Sequence, residues 1–327
     1  MVYFPSGEEL RYVHRGLLAE AREHPVANEL RGWSWARPPL RAIYARPLEA
    51  EDVASGTCPT GRDLYLSEEF GEPRRVPAAE ADGDMLKAAL ARVVIEAKAL
   101  IGRYGPDSLD QLERLAQRAF AETNHTWGRS HEDDQIRACL WRIRAFEARR
   151  ILERVADAVL TLGQIGGDAL AALAVPIHVD LPLNGGFLGL SDRVVADAIS
   201  FRDGTVFSVR VGPPNERHRL VTTGVALVAE SVFERPMDLG CVVYLVVNER
   251  HVELRRDFHV IGDELRQTFV EERDDRMRML ELGADPGMPS ECPTVCPYLL
   301  TCRPALTAVP ARLERPIAAT RRAIGSE

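Results

Sequence analysis

The first half of the chain repeats its apolar residues with a helical period, and the second half changes to the short alternating and β-branched runs of strands. Near the N-terminus Leu10, Val13, Leu17 and Leu18 fall on one face, with Glu20 and Glu23 turned away. Met85, Leu86, Leu90, Val93, Val94, Ala97, Leu100 and Ile101 predict a long helix over 84–103 with one apolar stripe. Further helices are predicted near 107–123 and 132–162, and the polar stretch 71–83, broken by Pro and Gly, reads as a surface loop.

At Pro176 the texture changes. Ile177–Leu181 predicts a short strand, Gly185-Gly186 a turn, and Phe187 to Ser200 one strand or a bent pair. Arg202-Asp203-Gly204 is a hairpin turn, and Thr205–Val211 is the returning strand. Gly212-Pro213-Pro214 stops it. Leu220, Val221, Val225, Leu227 and Val228 predict a helix over 216–233. Cys241–Val247 is a buried strand, Asn248-Glu249-Arg250 a turn, Val252–Phe258 a partner strand, and 262–282 a charged helix. The order is β-β-β-α-β-β behind an all-helical half. That predicts an α+β fold.

Apolar content of 46% and charged content of 28% are those of a soluble globular protein. No apolar run approaches the roughly 20 residues a membrane span needs. A net charge of −8 argues against a surface coated in positive charge for nucleic acid, although a local basic groove remains compatible with it. Nothing at the N-terminus reads as a signal peptide, so a cytoplasmic location is expected and disulfides are disfavoured.

Four of the six cysteines carry the most specific signal. Cys292, Cys296 and Cys302 lie in one Pro-punctuated loop, and Cys58 lies far upstream in Thr57-Cys58-Pro59-Thr60-Gly61. Converging thiolates select zinc or an iron–sulfur cluster. Four-cysteine zinc sites are usually built from two tight knuckles. One triplet with a distant singleton suits a cluster better, and zinc remains the alternative. Cys139, in a helical stretch, and Cys241, opening an apolar strand, read as packed core thiols.

Leu30-Arg31-Gly32-Trp33-Ser34-Trp35, followed by Pro38-Pro39-Leu40, reads as a core plug beneath a loop. Arg137, Arg142, Arg144, Arg149, Arg150 and Arg154 admit two readings, a phosphate-tracking face or a helix surface balanced by Glu147, Glu153 and Asp157.

Taken together, these segments resemble the RecB-like nuclease domain of the PD-(D/E)xK class in its iron–sulfur form. More narrowly, they resemble the CRISPR-associated RecB-like exonuclease of the adaptation module, in the type I-A branch. The residues that carry the resemblance are Leu30–Trp35 with Pro38–Leu40, Cys58–Asp63 with Tyr65-Leu66, Gly189–Asp192, His218–Leu220, Gly224–Glu230 and Cys292–Cys302. The resemblance implies a restriction-endonuclease-like core over 176–285, preceded by a helical region, 1–175, that holds the first cysteine. A cysteine loop, 286–302, and a basic tail, 303–327, would follow. It implies a [4Fe-4S] cluster on Cys58, Cys292, Cys296 and Cys302, and Mn2+ or Mg2+ for phosphodiester cleavage. Its expected partners are DNA, single-stranded or at ends, and the CRISPR integrase complex.

Such a nuclease places an Asp on one arm of a β-hairpin and Glu-x-Lys on the other, the acids holding a divalent cation and the lysine steadying phosphate. On the first arm the candidates are Asp197, which counting from the turn sets opposite Arg210, and Asp192, which fits a Gly-x-x-Asp pattern. On the second arm the expected triplet reads Ser208-Val209-Arg210. Serine supplies no anionic oxygen to a hard cation. Arginine stays charged and clamps phosphate. Where the family has a histidine early in the first nuclease helix, this chain offers Lys87. Asp180, read as a strand-end surface residue, is a further candidate ligand. Three functions follow: a DNA-handling adaptation protein with an eroded catalytic centre, an active exonuclease with altered ligands, or a zinc-stabilised scaffold with no nucleic-acid role.

Overall fold

The computed structural model describes residues 2–54, 58–70, 78–125, 132–248, 251–292, 296 and 298–303. Ser6 opens the first helix with a capping box, its hydroxyl accepting from Glu9 N while Glu9 accepts from Ser6 N. That helix, α1 (Gly7–Tyr12), passes through a π-helical segment, Val13–Leu17, into α2 (Leu18–Glu23). Two short helices follow, α3 (Ala50–Ala54) and α4 (Arg62–Phe70). The helical half is built from α5 (Ala78–Tyr104), α6 (Leu109–His125), α7 (Glu132–Leu162) and α8 (Gly167–Ala174). Of the predicted loop over 71–83, residues 71–77 lie outside the described residues, and from Ala78 the chain is helical, Ala78, Ala79 and Ala81 being strong helix formers.

Five strands form one mixed sheet in sequence order: β1 (His178–Leu183), β2 (Val194–Ser200), β3 (Thr205–Val211), β4 (Leu239–Asn248) and β5 (His251–Val260). Phe187 does not start a strand. Gly186–Leu188 is a 3-10 turn, and β2 begins only at Val194. Between β3 and β4 runs α9 (Arg219–Phe233), and these two strands pair in parallel, as a helical crossover allows. Strand β4 is buried on both faces, which is why it reads as a continuous apolar run. The chain ends its described part with α10 (Asp263–Glu281) and a single turn, α11 (Leu299–Cys302). Among the described residues no helix is long and apolar enough to cross a membrane.

The sheet has a core on each face. On one, α5 to α8 bury Leu90, Val94, Ile101 and Ile151 against Phe207, Val209, Cys241 and Val243. On the other, α3, α9 and α10 bury Val53, Val225, Val228 and Phe269 against Ala196, Ile199 and Val206. Each buried Leu, Ile, Val or Phe among these stabilises the fold by about 1.5–3 kcal/mol. The alternation on β3 turns Ser208 and Arg210 away from Phe207 and Val209, to the side opposite the helical core.

The Leu30–Trp35 segment is held differently from a core plug. Trp33 and Trp35 are only half-buried. Trp33 lies beside the Arg31 guanidinium, and Trp35 stacks on Phe187 at 4.5 Å. Arg31 and Gly32 do the packing. Arg31 pairs with Glu230 and Asp238, and Gly32 N donates to Glu230 at 2.8 Å. The arginines of α7 are held by ion pairs and a carbonyl, but of the acids expected to balance them Glu147 is not a surface partner: it is fully buried and accepts from Val2 N and Tyr3 N. Arg144 pairs with Glu122, Arg149 with Glu113 and Arg150 with Glu153, while Arg154 donates to the Ala174 carbonyl. Cys241 is fully buried, as predicted, and burial pushes its thiol well above the ordinary value. The side chains of Arg137 and Cys139, and the tail beyond Arg303, lie outside the described residues.

Candidate functional site

A cleft of about 340 Å³ opens where α3, α5 and the β1–β2 pair meet. Its lining includes Glu49, Glu51, Asp84, Lys87, Asp180, Arg193 and Asp197. The structure thus brings Asp197, Lys87 and Asp180 together, and it adds Glu49, Glu51 and Asp84, which sequence reasoning missed. The reason is tertiary. Leu48 bridges to Leu190, with Leu48 N donating to Gly189 O and Ser191 N to Leu48 O, and this lays the start of α3 along the entry to β2. No local pattern announces that contact.

Asp197 is the hairpin acid that faces the cleft. Its carboxylate accepts from Val209 N at 2.7 Å and stands 3.7 Å from Lys87 Nζ. Burial raises its pKa, more than the nearby Lys87 lowers it. Lys87 also pairs with Asp84 at 2.8 Å. Burial works against its charge, but Asp197 and Asp84 outweigh burial and hold its pKa above the ordinary lysine value. Asp192 lies elsewhere, in a second cleft with Asp52, Glu68 and Tyr44.

The register corrects one expectation. The β2–β3 ladder pairs Ala198 with Phe207, Ile199 with Val206 and Ser200 with Thr205. Continued by one residue, it sets Asp197 against Ser208, not Arg210. The loop at 201–204 is longer than a two-residue turn, with Gly204 at φ 65°. Ser208 is buried, and Arg210 Nε donates to its hydroxyl at 3.2 Å. The Arg210 guanidinium also pairs with Glu51. His218 stands in the field of both, and burial with Arg210 lowers its pKa to about 4, so its imidazole is neutral. Asp180 is not at a strand end. It lies inside β1 with φ 50°, opposite Asp197 between the Val179–Ala198 and Leu181–Ala196 pairs.

The second site joins the Cys58 loop to the C-terminal end of the described chain. Cys58 is buried, and Thr60 beside it donates to the Gly287 carbonyl at 2.9 Å. Arg62 forms a two-bond pair with Asp285 and donates to Cys302 Sγ at 3.5 Å. Burial raises the pKa of the Cys296 thiol, with Asp63, Cys58 and Cys302 adding to the effect. Burial also raises that of Cys302, with Cys292 and Cys58 adding to it. Cys302 thus feels the charge of Cys292 and Cys58, and Cys296 that of Cys58 and Cys302, which brings the distant cysteine into the neighbourhood of the triplet. Among the described residues no three His, Cys, Asp or Glu side chains are arranged to hold a metal ion, at either site.

Comparison with known proteins adds to this geometry. No solved structure matches the chain. A curated relative from Thermoproteus tenax, a CRISPR-associated exonuclease Csa1, is 30% identical over 278 residues, 85% of this chain and 92% of the relative. One of the same description from Saccharolobus solfataricus is 29% identical over 283 residues, 85% and 93% of the two chains. The family model described as CRISPR-associated exonuclease Csa1 matches residues 3–305, so the chain belongs to that family.

Proposed function

We propose that this protein handles DNA ends or prespacers in CRISPR adaptation, on a RecB-like PD-(D/E)xK scaffold whose cleft does not support robust cleavage. The observation that carries this reading is the state of the hairpin. Asp197 is present, but its neighbour on the second arm is the buried hydroxyl of Ser208, and Arg210 is engaged by Glu51. Lys87 is committed to Asp84 and Asp197, and five lining carboxylates face two cations, so a scissile phosphate meets net negative charge. Membership of an exonuclease family supports DNA as the substrate class. Action beside the CRISPR integrase complex, in the cytoplasm, belongs to the same proposal.

Cys58, Cys292, Cys296 and Cys302 would hold a [4Fe-4S] cluster, which when bound ties the two chain ends together. Arg62 would then donate to the Cys302 sulfur while holding Asp285, and Thr60 would keep the Cys58 loop against Gly287. A second reading, an active exonuclease with altered Mn2+ or Mg2+ ligands, is favoured by Glu51, Asp84 and Asp180 around Asp197.

End-labelled single-stranded and duplex DNA, incubated with the anaerobically purified protein with and without Mn2+, tests the proposal. End binding without degradation is expected. Robust Mn2+-dependent degradation, abolished by Asp197→Ala, would establish the second reading instead. No binding to any DNA end would sink both.

A further inference from the structure

We infer that the ammonium of Lys87 takes the place of a divalent cation in the Asp197 cleft, so that the protein takes up no Mn2+ there. This deepens the proposal above and rests on its reading of the cleft, but its test needs no DNA.

Asp180 and Asp197 oppose each other across β1 and β2. Like charges directly opposite on neighbouring strands repel, and although Asp180 is exposed and partly screened, the buried Asp197 gains from a counter-charge. Asp84 and Glu51 bring further negative charge to the same lining. The counter-charge present is Lys87. Its Nζ lies 2.8 Å from Asp84 Oδ1 and 3.7 Å from Asp197 Oδ1, within reach of two acids from different elements at once. The ammonium is also fixed in place. Its neighbours on α5, Leu86 and Leu90, are buried in the helical core, and its own side chain is 23% exposed. Arg193 lines the cleft as a second cation, and Arg210 adds positive charge nearby, held by Glu51 and by the Ser208 hydroxyl.

A divalent cation drawing on Asp84 and Asp197 would have to sit near that ammonium and would be repelled by it at close range. Hard cations of this kind need several oxygen ligands around one point. Among the described residues no three acids or histidines converge so. The lysine therefore offsets part of the charge of Asp84 and Asp197 without creating an open coordination position.

The test is a titration of the full chain, cysteine site as purified, with Mn2+ alone, reading free Mn2+ by electron paramagnetic resonance. Wild type and Lys87→Arg are expected to show no Asp197-dependent binding tighter than about 1 mM. Lys87→Gln is expected to gain one site, at least about a hundredfold tighter, lost again in Lys87→Gln/Asp197→Asn. Lys87→Met is measured beside it, with the thermal transition of each variant, so that a folding defect in one substitution does not decide the result. Wild-type Mn2+ binding that disappears in Asp197→Asn overturns the inference. So does a folded Lys87→Gln or Lys87→Met that gains no site. A protein that binds no DNA undoes the functional proposal and leaves this titration decisive on its own.

Discussion

Arg266 and Glu230 form a two-bond ion pair with both side chains fully buried, Nη1–Oε2 at 2.7 Å and Nη2–Oε1 at 3.0 Å. The remaining Arg266 hydrogen bonds go to the Ile261, Leu30 and Met237 carbonyls, and Glu230 also accepts from Gly32 N and Met237 N. One pair thus fastens the N-terminal Leu30–Trp35 segment to α9 and α10. Arg266→Met leaves a buried carboxylate short of its main partner and is expected to cost roughly 3–5 kcal/mol, measured by denaturant unfolding. A loss below about 1 kcal/mol would mean that Arg31 alone satisfies Glu230.

Gly32 has no room for a side chain. A Cβ there would lie 2.0 Å from the Leu227 carbonyl oxygen and 2.7 Å from Glu230 Cβ. Backbone cannot yield as a flexible side chain does, so Gly32→Ala is expected to lose about 2 kcal/mol or more. Gly7→Ala, where nothing lies within 4 Å, serves as the neutral control. Equal melting temperatures for the two variants would refute the close approach.

Acid sensitivity follows from His259. It is buried, with Nε2 3.0 Å from the Thr222 hydroxyl and Nδ1 3.1 Å from the Asp257 carbonyl, and burial lowers its pKa to about 4. The unfolded chain binds its proton near pH 6.5, the folded chain only near pH 4. Stability from this group is therefore complete above about pH 6.5 and is lost as pH falls toward 4, by up to about 3 kcal/mol. His218 acts in the same direction but less, being partly exposed. Asp197, whose pKa is raised by burial, acts in the opposite direction as pH falls. Unfolding free energies at pH 7 and pH 5 should differ in wild type, and the difference should shrink in His259→Gln. An unchanged difference in the variant would assign the acid sensitivity elsewhere.

The cysteine site can be counted. Iron, sulfide and zinc assays on anaerobically purified protein should give about four irons per chain with broad visible absorption. Cys58→Ser should lose metal as fully as Cys302→Ser, because the distant cysteine lies within reach of the triplet. One zinc per chain and a colourless sample would replace the cluster with a zinc scaffold.

Much of the fold is legible in the sequence. Strand β3 and the long helix α7 have the predicted bounds, because Gly and Pro punctuate the one and periodicity runs the length of the other. The short helix α8 escapes, since eight residues of Ala and Leu carry little periodic signal. Asp197, Lys87, Ser208 and Arg210 were legible as candidates through the hairpin and the resemblance, and the structure sets Asp197 beside Lys87 and Arg210 beside Ser208. Glu51 was not, because nothing local marks a glutamate that reaches its partner, Arg210, across 159 residues of chain.

The sequence by itself determined the element order, the apolar faces that bury on each side of the sheet, and which residue types stand at the cysteine positions and on the hairpin's second arm. Those depend on local periodicity and residue type. Tertiary structure alone decided which acid enters the cleft, that Asp180 stands against Asp197, and that Lys87 lies between Asp84 and Asp197. The physical reason is that such charges interact over a few ångströms between elements far apart in the chain, and only packing sets those distances.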